Sequence, residues 1–306
     1  MPLCRFVDLA TQLSGAPVSV TPQQLRLAGI VASRGVDLEM QDATFEQVLV
    51  AAAKPLRLAP RIVGDQIVLE RTDLPARRTI EYAVGDLATG ESDADAIARW
   101  VRELVEPECW DAVGGDATLA VGGDKLSINA PEPVQYDVLL LLERIRVARG
   151  LPAKSRYPAK LVAGESPYRI LAPRMTALAT FTFTDFTPLR EVFRHWQEEL
   201  EVAVLVDWPA LAGLDLTPQT RIACSRHGVP WSEALDAVLA PLGLGWAAVD
   251  GRTIEITSLA TLADRRETHL YRGVSPAAGA IPVGDEVYAL NASPSEHRRL
   301  APQPAR

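Results

Sequence analysis

The sequence predicts an α+β protein made of tandem small modules, and three observations support that fold class. The chain has 306 residues, which is long for one hydrophobic core and suits two or three domains. Its hydrophobic fraction of 48% and charged fraction of 23% are typical of packed globular proteins. An internal repeat pairs Pro2 with Pro188, an offset of 186 residues (188 − 2), and continues without a gap through Gly64 and Asp250.

The second copy of the repeat, residues 175–258, is predicted to fold as βαββαββ. Its leading strand is Ala179-Thr-Phe-Thr-Phe-Thr-Asp185, in which Phe181 and Phe183 alternate onto one face. Apolar spacing and turn residues then predict the remaining elements. These are helix 188–200, strand 202–206, a strand around Ile222 and Cys224, helix 230–239, and a hairpin of strands 245–249 and 253–257.

The first copy, residues 1–72, is predicted to fold in the same way but to lack the leading strand. Phe45 aligns with Trp231, and the capping-box pair Thr44 and Gln47 predicts the start of its second helix. Its first helix begins at Pro2, so no residues precede it that could form the strand. The first copy therefore resembles a truncated module.

A differently built module, residues 78–150, lies between the copies. Thr79-Ile-Glu-Tyr-Ala-Val alternates as a strand, and Ser92-Asp-Ala-Asp95 predicts the cap of a helix. Strands 118–121 and 125–129 form a hairpin that leads to a helix over 133–149. The predicted order is βαββα.

Two segments of the chain are predicted to carry little regular structure. Residues 151–174 contain four prolines and are predicted to be a linker. In the last segment, 259–306, a short helix is followed by Thr268-His-Leu-Tyr-Arg-Gly-Val, which is similar to the opening strand of the middle module. The Pro- and Ala-rich residues 275–306 are predicted to be a disordered tail.

These motifs resemble a known set of domains. Both copies resemble the short N-terminal (N0-like) domain of secretins and TonB-dependent receptors, in their Pro-Leu helix start, the apolar run 234–244 and the closing hairpin. The middle module resembles the KH-like (N1-type) repeat that follows it in secretins. Its segment 107–115 is similar to a Trp and Gly-Gly motif of uncharacterised bacterial repeat proteins.

The resemblance implies a non-catalytic scaffold for protein contacts or self-association, because such modules stack into rings in secretins and contact inner-membrane or substrate proteins. The chain lacks a secretin pore segment and a TonB plug or barrel, and both of its ends look cut, so we expect either a piece of a longer protein or a miscalled start. Two alternatives stay open. One is a signalling domain of the TonB-dependent transducer type, and the other is an enzyme with a site between modules.

The resemblance and the N-terminal sequence give different expectations for localisation. The related domains imply the periplasm or cell envelope. Residues 1–30 have neither the basic start nor the apolar middle of a signal peptide, which implies the cytoplasm if Met1 is the true start.

Charge and hydropathy exclude some classes of partner. The net charge of −8 repels nucleic-acid phosphates, and the middle module lacks the basic GxxG loop of RNA-binding KH domains. Apolar runs such as 138–142 are far shorter than the roughly 18 residues of a membrane span. Protein partners or self-association are therefore expected, with no nucleic acid, membrane span or small molecule.

Residues able to carry chemistry are scattered, and we expect no catalytic, cofactor or metal site. The four His and three Cys residues have no metal-ligand spacing. Cys224 and His227 resemble a nucleophile and base, but three residues apart on a strand they are expected to face opposite ways. The acidic residues Glu91, Asp93 and Asp95 are interpreted as helix capping, and the Gly-Gly pairs as turns.

Four residues are predicted contacts for a partner. Thr180, Thr182 and Thr184 form one face of the leading strand, and β-augmentation there or at the edge left by the missing strand completes a sheet. Trp208, in a predicted loop after a strand, is the aromatic candidate for surface contact.

Overall fold

A computed structural model of the protein describes residues 1–74, 76–88, 93–157, 162, 166–273, 278–284 and 286–300. The chain forms two compact units. Unit one contains both copies of the repeat (residues 1–72 and 167–265) and the segment from 294, and unit two contains residues 73–166 and 266–293. The predicted α+β class, built from small sheets and helices, is confirmed.

Copy one opens on a helix and closes on a hairpin. Its sheet has the order β1-β3-β2, with β1 parallel to β3 and β2 antiparallel to it. A hydroxyl cap and a capping box at Thr44 start α3, as its sequence predicts. The elements are α1 (Leu3–Ser14), β1 (Val18–Ser19), α2 (Pro22–Ala28), α3 (Phe45–Ala53), β2 (Ala59–Val63) and β3 (Gln66–Glu70).

The middle module has the predicted order βαββα and an antiparallel sheet in the order β4-β6-β5. Asp93 caps its first helix by accepting a hydrogen bond from the Ala96 amide at 2.7 Å. The elements are β4 (Arg78–Ala83), α4 (Ala94–Leu104), β5 (Thr118–Gly122), β6 (Lys125–Ala130) and α5 (Glu132–Ala148).

Copy two contains every predicted element and one extra short helix, α8. The elements are α6 (Pro167–Met175), β7 (Leu178–Pro188), α7 (Leu189–Leu200), β8 (Ala203–Val206), α8 (Trp208–Ala212), β9 (Arg221–Pro230), α9 (Trp231–Leu239), β10 (Leu244–Asp250), β11 (Thr253–Ser258) and α10 (Leu259–Asp264). The sheet order β8-β11-β10 is that of copy one. Helices α1 and α7, and α3 and α9, start 186 residues apart (189 − 3 and 231 − 45).

The prediction that 151–174 is a linker is wrong over its described residues, because those at each end of the segment pack onto folded units. Helix α6 places Tyr168, Leu171 and Met175 in the core of copy two. In unit two, the buried carboxylate of Glu143 accepts hydrogen bonds from the amides of Lys154 and Ser155 at 2.8 and 3.2 Å. The prolines of this segment favour a loop, whereas the apolar side chains of α6 have the spacing of a helix.

The predicted disordered tail is also wrong over its described part, 278–284 and 286–300. It forms β13 (Ile281–Gly284), β14 (Val287–Ala292) and α11 (Pro294–Leu300), which follow β12 (Glu267–Arg272). The sheet order β12-β14-β13 repeats β4-β6-β5. The register repeats as well, since Thr79 pairs with Asn129 and Thr268 pairs with Asn291. The middle module therefore has a second, shorter copy.

This second sheet of unit two has no helix of its own between β12 and β13 in the described residues, and it shares the helices of the first. Leu270, Val283, Val287 and Ala289 belong to the same hydrophobic core as α4 and α5. The Arg149 guanidinium donates from Nε to the Val283 carbonyl at 2.7 Å. One helical layer thus serves both sheets.

The Trp and Gly-Gly motif forms a tight structural turn in unit two. Trp110 is 1% exposed and donates from Nε1 to the Val105 carbonyl at 2.8 Å. A Cβ on Gly115 would lie 2.2 Å from the Cys109 carbonyl carbon, so only glycine fits there. Gly114, at φ 95°, supplies the left-handed turn residue.

A buried ion network fixes α5 to the end of β4. Glu143 is fully buried, and its carboxylate lies 2.6 Å from the Arg146 guanidinium. Arg146 also bonds Asp86 at 2.8 Å, and Lys154 reaches Asp86 at 2.7 Å. Partial burial raises the pKa of Asp86, but hydrogen bonds from Arg146 and Lys154 outweigh burial and hold it at about 2.

The network gives a stability prediction for unit two. Glu143→Ala removes the fully buried one of the two carboxylates that Arg146 contacts, which we expect to cost about 3 kcal/mol. Hydrogen exchange of the α5 amides, followed by mass spectrometry, measures the loss. Glu143→Gln keeps a hydrogen-bond acceptor and is expected to lose less. Equal protection of α5 in the wild type and the Ala variant contradicts this role.

Candidate protein-interaction site

Strand β7 pairs with β9 and gives copy two an edge that has no counterpart among the described residues of copy one. The ladder is antiparallel, with Phe183 opposite Cys224 and Thr182 opposite Ser225. The register shifts between Ala179 and Thr180, opposite Gly228, whose φ is +63°. A glycine with positive φ at an extra residue is the usual geometry of a β-bulge.

The inner face of β7 closes the core of copy two. Phe181 is 5% exposed, and its ring centroid lies 5.5 Å from that of Trp231 and 5.9 Å from that of Trp196. Phe183 makes an edge contact with His195 at 5.3 Å. The leading strand therefore provides an aromatic cover for α7 and α9.

The outer face of β7 carries the predicted threonine contacts. Thr180, Thr182 and Thr184 are all exposed. The Thr182 hydroxyl lies 2.9 Å from the Ser225 hydroxyl, which lies 2.8 Å from Nε2 of His227. These groups present hydrogen-bond donors and acceptors on one surface, and partner contact there stays a prediction.

Trp208 does not lie on the surface, which corrects the prediction of a surface contact. It begins α8, is 5% exposed, and packs 6.2 Å from the ring of Phe193. Asp207 caps this helix by accepting from the Ala210 amide at 3.2 Å. The Asp-Trp-Pro sequence is a cap followed by an early proline, a signal from which the helix was predictable.

Copy one keeps the start of the β7–β9 ladder. Leu3 donates from its amide to the Arg34 carbonyl at 2.9 Å, as Leu189 donates to Thr220 at 2.8 Å. Pro2 bridges Gly35, as Pro188 pairs with Arg221.

The ladder in copy one then continues for one more residue. The Val36 amide donates to the Met1 carbonyl at 2.7 Å, and the Met1 ammonium donates to the Val36 carbonyl at 2.9 Å. Met1 thereby occupies the position of Thr187, which pairs with Ile222.

Beyond Val36 the segment belongs to no strand in the described part of the chain, although its counterpart in copy two is β9. The backbone nevertheless keeps the conformation of β9 at the bulge. Asp42, the equivalent of Gly228, has a φ of +52°. Positive φ in a residue other than glycine is uncommon and costs energy. Residues 36–44 therefore share one backbone feature with β9, although they form no strand among the described residues.

Apolar side chains line this position, which we name the copy-one slot and define by Leu9, Leu38, Met40 and Phe45. Leu9 is 37% exposed, Leu38 is 40% and Met40 is 42%. By the 186-residue offset, Leu9 and Phe45 are the equivalents of His195 and Trp231, which contact the β7 phenylalanines. The slot is the surface that β7 covers in copy two.

Three acidic residues lie in the same segment as Leu38 and Met40. Asp37, Glu39 and Asp42 are all exposed. Their equivalents in β9 are Ala223, Ser225 and Gly228, none of which is charged. The slot therefore differs from its counterpart in copy two by a negative rim.

A second surface joins the two copies within unit one. Ala203 and Leu205 of β8 belong to the hydrophobic core of copy one, and Gln66 donates from Nε2 to the Trp208 carbonyl at 3.2 Å. A small cavity there is lined by equivalent residues of both copies. These include Val7 and Phe193, Asp8 and Arg194, and Thr11 and Gln197. Each copy thus presents its first helix and the strand that follows it to the other, as in an isologous dimer.

The residues weighed for chemistry take structural positions. Cys224 packs against the core of copy two and burial raises the pKa of its thiol, whereas His227 bonds Ser225 on the opposite face. Asp93 caps α4 and Asp95 lies in its first turn, while Glu91 lies outside the described residues.

The described residues contain no cluster of three or more His, Cys, Asp or Glu placed to hold a metal ion. Within the same residues, no helix has both the length and the apolar composition needed to cross a membrane.

Comparisons with models of known protein families, with curated proteins and with solved structures found no match.

The packing of the two copies gives a pH-dependent prediction at Asp8. Burial raises the pKa of this carboxyl above 3.8, more than the charge of Arg194 lowers it. The folded state thus binds the proton more tightly than the unfolded state, so ionisation of Asp8 destabilises the fold above the raised pKa but not below 3.8. Asp8→Asn should raise Tm near neutral pH.

Thermal unfolding measured from neutral to acid pH tests this prediction. The gain in Tm should shrink as pH falls and vanish once Asp8 is protonated in both states. Glu199→Gln, an exposed change on α7, is the control and should give no such trend. A loss of Tm in Asp8→Asn at neutral pH contradicts the prediction, because it means that attraction to Arg194 outweighs burial.

Proposed function

We propose that this protein is a non-catalytic scaffold for protein assembly, whose modules act as the periplasmic N-terminal domains of secretins do. The observation that carries the proposal is the two-stranded sheet of β7 and β9 in copy two. In the described part of the chain, each of these strands has one edge with no strand neighbour. Such an edge is a template for pairing with another chain.

The composition of β7 supports pairing at that edge. The strand runs from Leu178 to Pro188, long for an edge strand, and Leu178 and Phe186 are 70% and 67% exposed. The threonine face adds hydroxyl groups without charge, so it does not repel a second chain. Natural edge strands that avoid pairing are usually short or carry charged side chains.

The packing of the two copies supports an assembly role in a different way. Equivalent surfaces of copies one and two meet within one chain, lined by pairs such as Val7 and Phe193. Modules of this kind therefore have faces suited to contact with other modules. We place the scaffold in an envelope secretion or transport complex, on the resemblance of its sequence to secretin domains.

Self-association at the β7 edge tests the proposal. The full chain should form oligomers as its concentration rises, measured by light scattering and chemical cross-linking. Changing Thr180, Thr182 and Thr184 together to Lys should raise the concentration needed for association at least tenfold, because like charges on an edge oppose pairing. Gln219→Lys, at an exposed position of the same copy, should leave association unchanged.

Two outcomes contradict the proposal or its contact surface. If the wild-type chain stays monomeric at high concentration, and cross-linking in its native cells links it to no other protein, the scaffold proposal is wrong. If oligomers form but the lysine variant associates as the wild type does, the β7 edge is not the contact.

A further inference from the structure

We propose that two copies of this chain pair through β7, as antiparallel strands related by a twofold axis at Thr182. The edge used is the one that has no strand neighbour in the described part of the chain. The paired copies then share one four-stranded sheet in the order β9-β7-β7-β9. The inference rests on the proposed function, assembly through the β7 edge, and names the partner at that edge as a second copy of this chain.

The inner and outer faces of β7 alternate along its whole length. Phe183 pairs with Cys224, and Thr187 pairs with Ile222. Cys224 and Ile222 both pack against the core of copy two. Phe183 and Thr187 are therefore both inner residues, and their spacing of four keeps the alternation across the register shift between them. Phe186 consequently lies on the outer face.

The outer face of β7 has nearly the same pattern in both directions from Thr182. Thr180 and Thr184 lie two residues away, and Leu178 and Phe186 lie four residues away. Leu178 is 70% exposed and Phe186 is 67% exposed. With the axis at Thr182, Leu178 of each copy lies opposite Phe186 of the other, and both leave water. Thr180 lies opposite Thr184, and facing threonines stabilise a strand pair.

The ends of β7 select this register. An axis nearer to Leu178 leaves Phe186 opposite no residue of β7, since the strand begins at Leu178. An axis nearer to Phe186 sets Leu178 opposite Pro188 or beyond the end of the strand. Proline has no amide hydrogen to donate to a facing strand. Only the axis at Thr182 therefore buries both exposed apolar side chains within the paired strands.

The charge of β7 favours the same register. Asp185 is the single charged residue of the strand. With the axis at Thr182 it lies opposite Ala179, and the two Asp185 residues are about 20 Å apart along the strands. An axis at Thr184 brings them to about 7 Å, where like charges oppose pairing.

The hydroxyl groups near the axis already have partners on β9. The Thr182 hydroxyl lies 2.9 Å from the Ser225 hydroxyl, and the Thr180 hydroxyl accepts a hydrogen bond from the Gly228 amide at 3.2 Å. Pairing of two β7 strands therefore leaves neither hydroxyl buried without a hydrogen bond. The side chains are also held in place beforehand, which lowers the entropy lost on association.

Disulfide trapping in the full chain reads the position of the axis. In Thr182→Cys the two new thiols face each other, at a Cα separation of about 4.5–5.5 Å that a disulfide spans. Oxidation by oxidised glutathione should yield a linked dimer, measured by non-reducing electrophoresis. We expect at least tenfold more dimer than in Gln219→Cys, an exposed position of the same copy, or in the wild type with its native cysteines.

A mixture of two variants tests the pairing of the strand ends. In Leu178→Cys alone, or Phe186→Cys alone, the two new thiols are about 26 Å apart along the strands and should not link. Mixed together, with a size tag on one variant, they should form a linked dimer that contains one copy of each.

The affinity of the dimer is measured by analytical ultracentrifugation. Phe186→Ser removes an apolar side chain that is exposed in the single chain, so the fold should persist while dimerisation weakens at least tenfold. Ile62→Ser, on β2 of copy one and 79% exposed, is the matched control and should leave dimerisation unchanged.

The outcomes separate the twofold dimer from the proposed function. If Thr182→Cys links no more than Gln219→Cys, or if Leu178→Cys and Phe186→Cys each link alone, the twofold register is wrong. Oligomers of the wild-type chain, or cross-links to another protein in its native cells, still support the scaffold in that case. If the wild-type chain also stays monomeric and links to no other protein, the proposed function is wrong as well.

Discussion

The structure of copy two depends on the pairing of β7 with β9. In the described chain these two strands pair only with each other, so neither has a ladder without the other. In copy two the pairing turns residues 221–230 into a strand and brings Phe181 over α7 and α9. In copy one no described strand takes the place of β7, and the residues that correspond to β9 form no strand beyond the bridge at Gly35. Leu38 and Met40 are exposed there.

Modules in this protein are completed by their neighbours. Ala203 and Leu205 of copy two fill part of the core of copy one, and the two copies meet through equivalent surfaces. In unit two, the sheet β12-β14-β13 lacks a helix between its first two strands in the described residues and packs on α4 and α5 of the first sheet. Modules of this size bury little apolar surface and are only marginally stable alone, which favours shared layers.

Much of the fold was predictable from the sequence, and the exceptions have physical reasons. The apolar spacing in α7 and the alternation of Phe181 and Phe183 predicted the right elements, and the repeat placed copy one on the same pattern. Helix α6 was missed because Pro167 and Pro173 are typical of loops, although one begins the helix and the other lies inside it. The hairpin β13–β14 is short, and its stability comes from packing on distant helices, which local periodicity does not record. The positive φ of Asp42 was not predictable, because apolar periodicity does not report single backbone angles.

The central claim is that pairing with β7 makes a strand of residues 221–230, whereas the equivalent residues of copy one form no strand beyond Gly35. Backbone hydrogen exchange, read residue by residue on the full chain, tests it most directly. We predict that amides in residues 37–42 exchange much faster than the amides of residues 223–228 that bond to β7, while Val36, which bonds to Met1, is protected. Equal protection of the two segments contradicts the claim, since it means that residues 37–42 are hydrogen-bonded as β9 is.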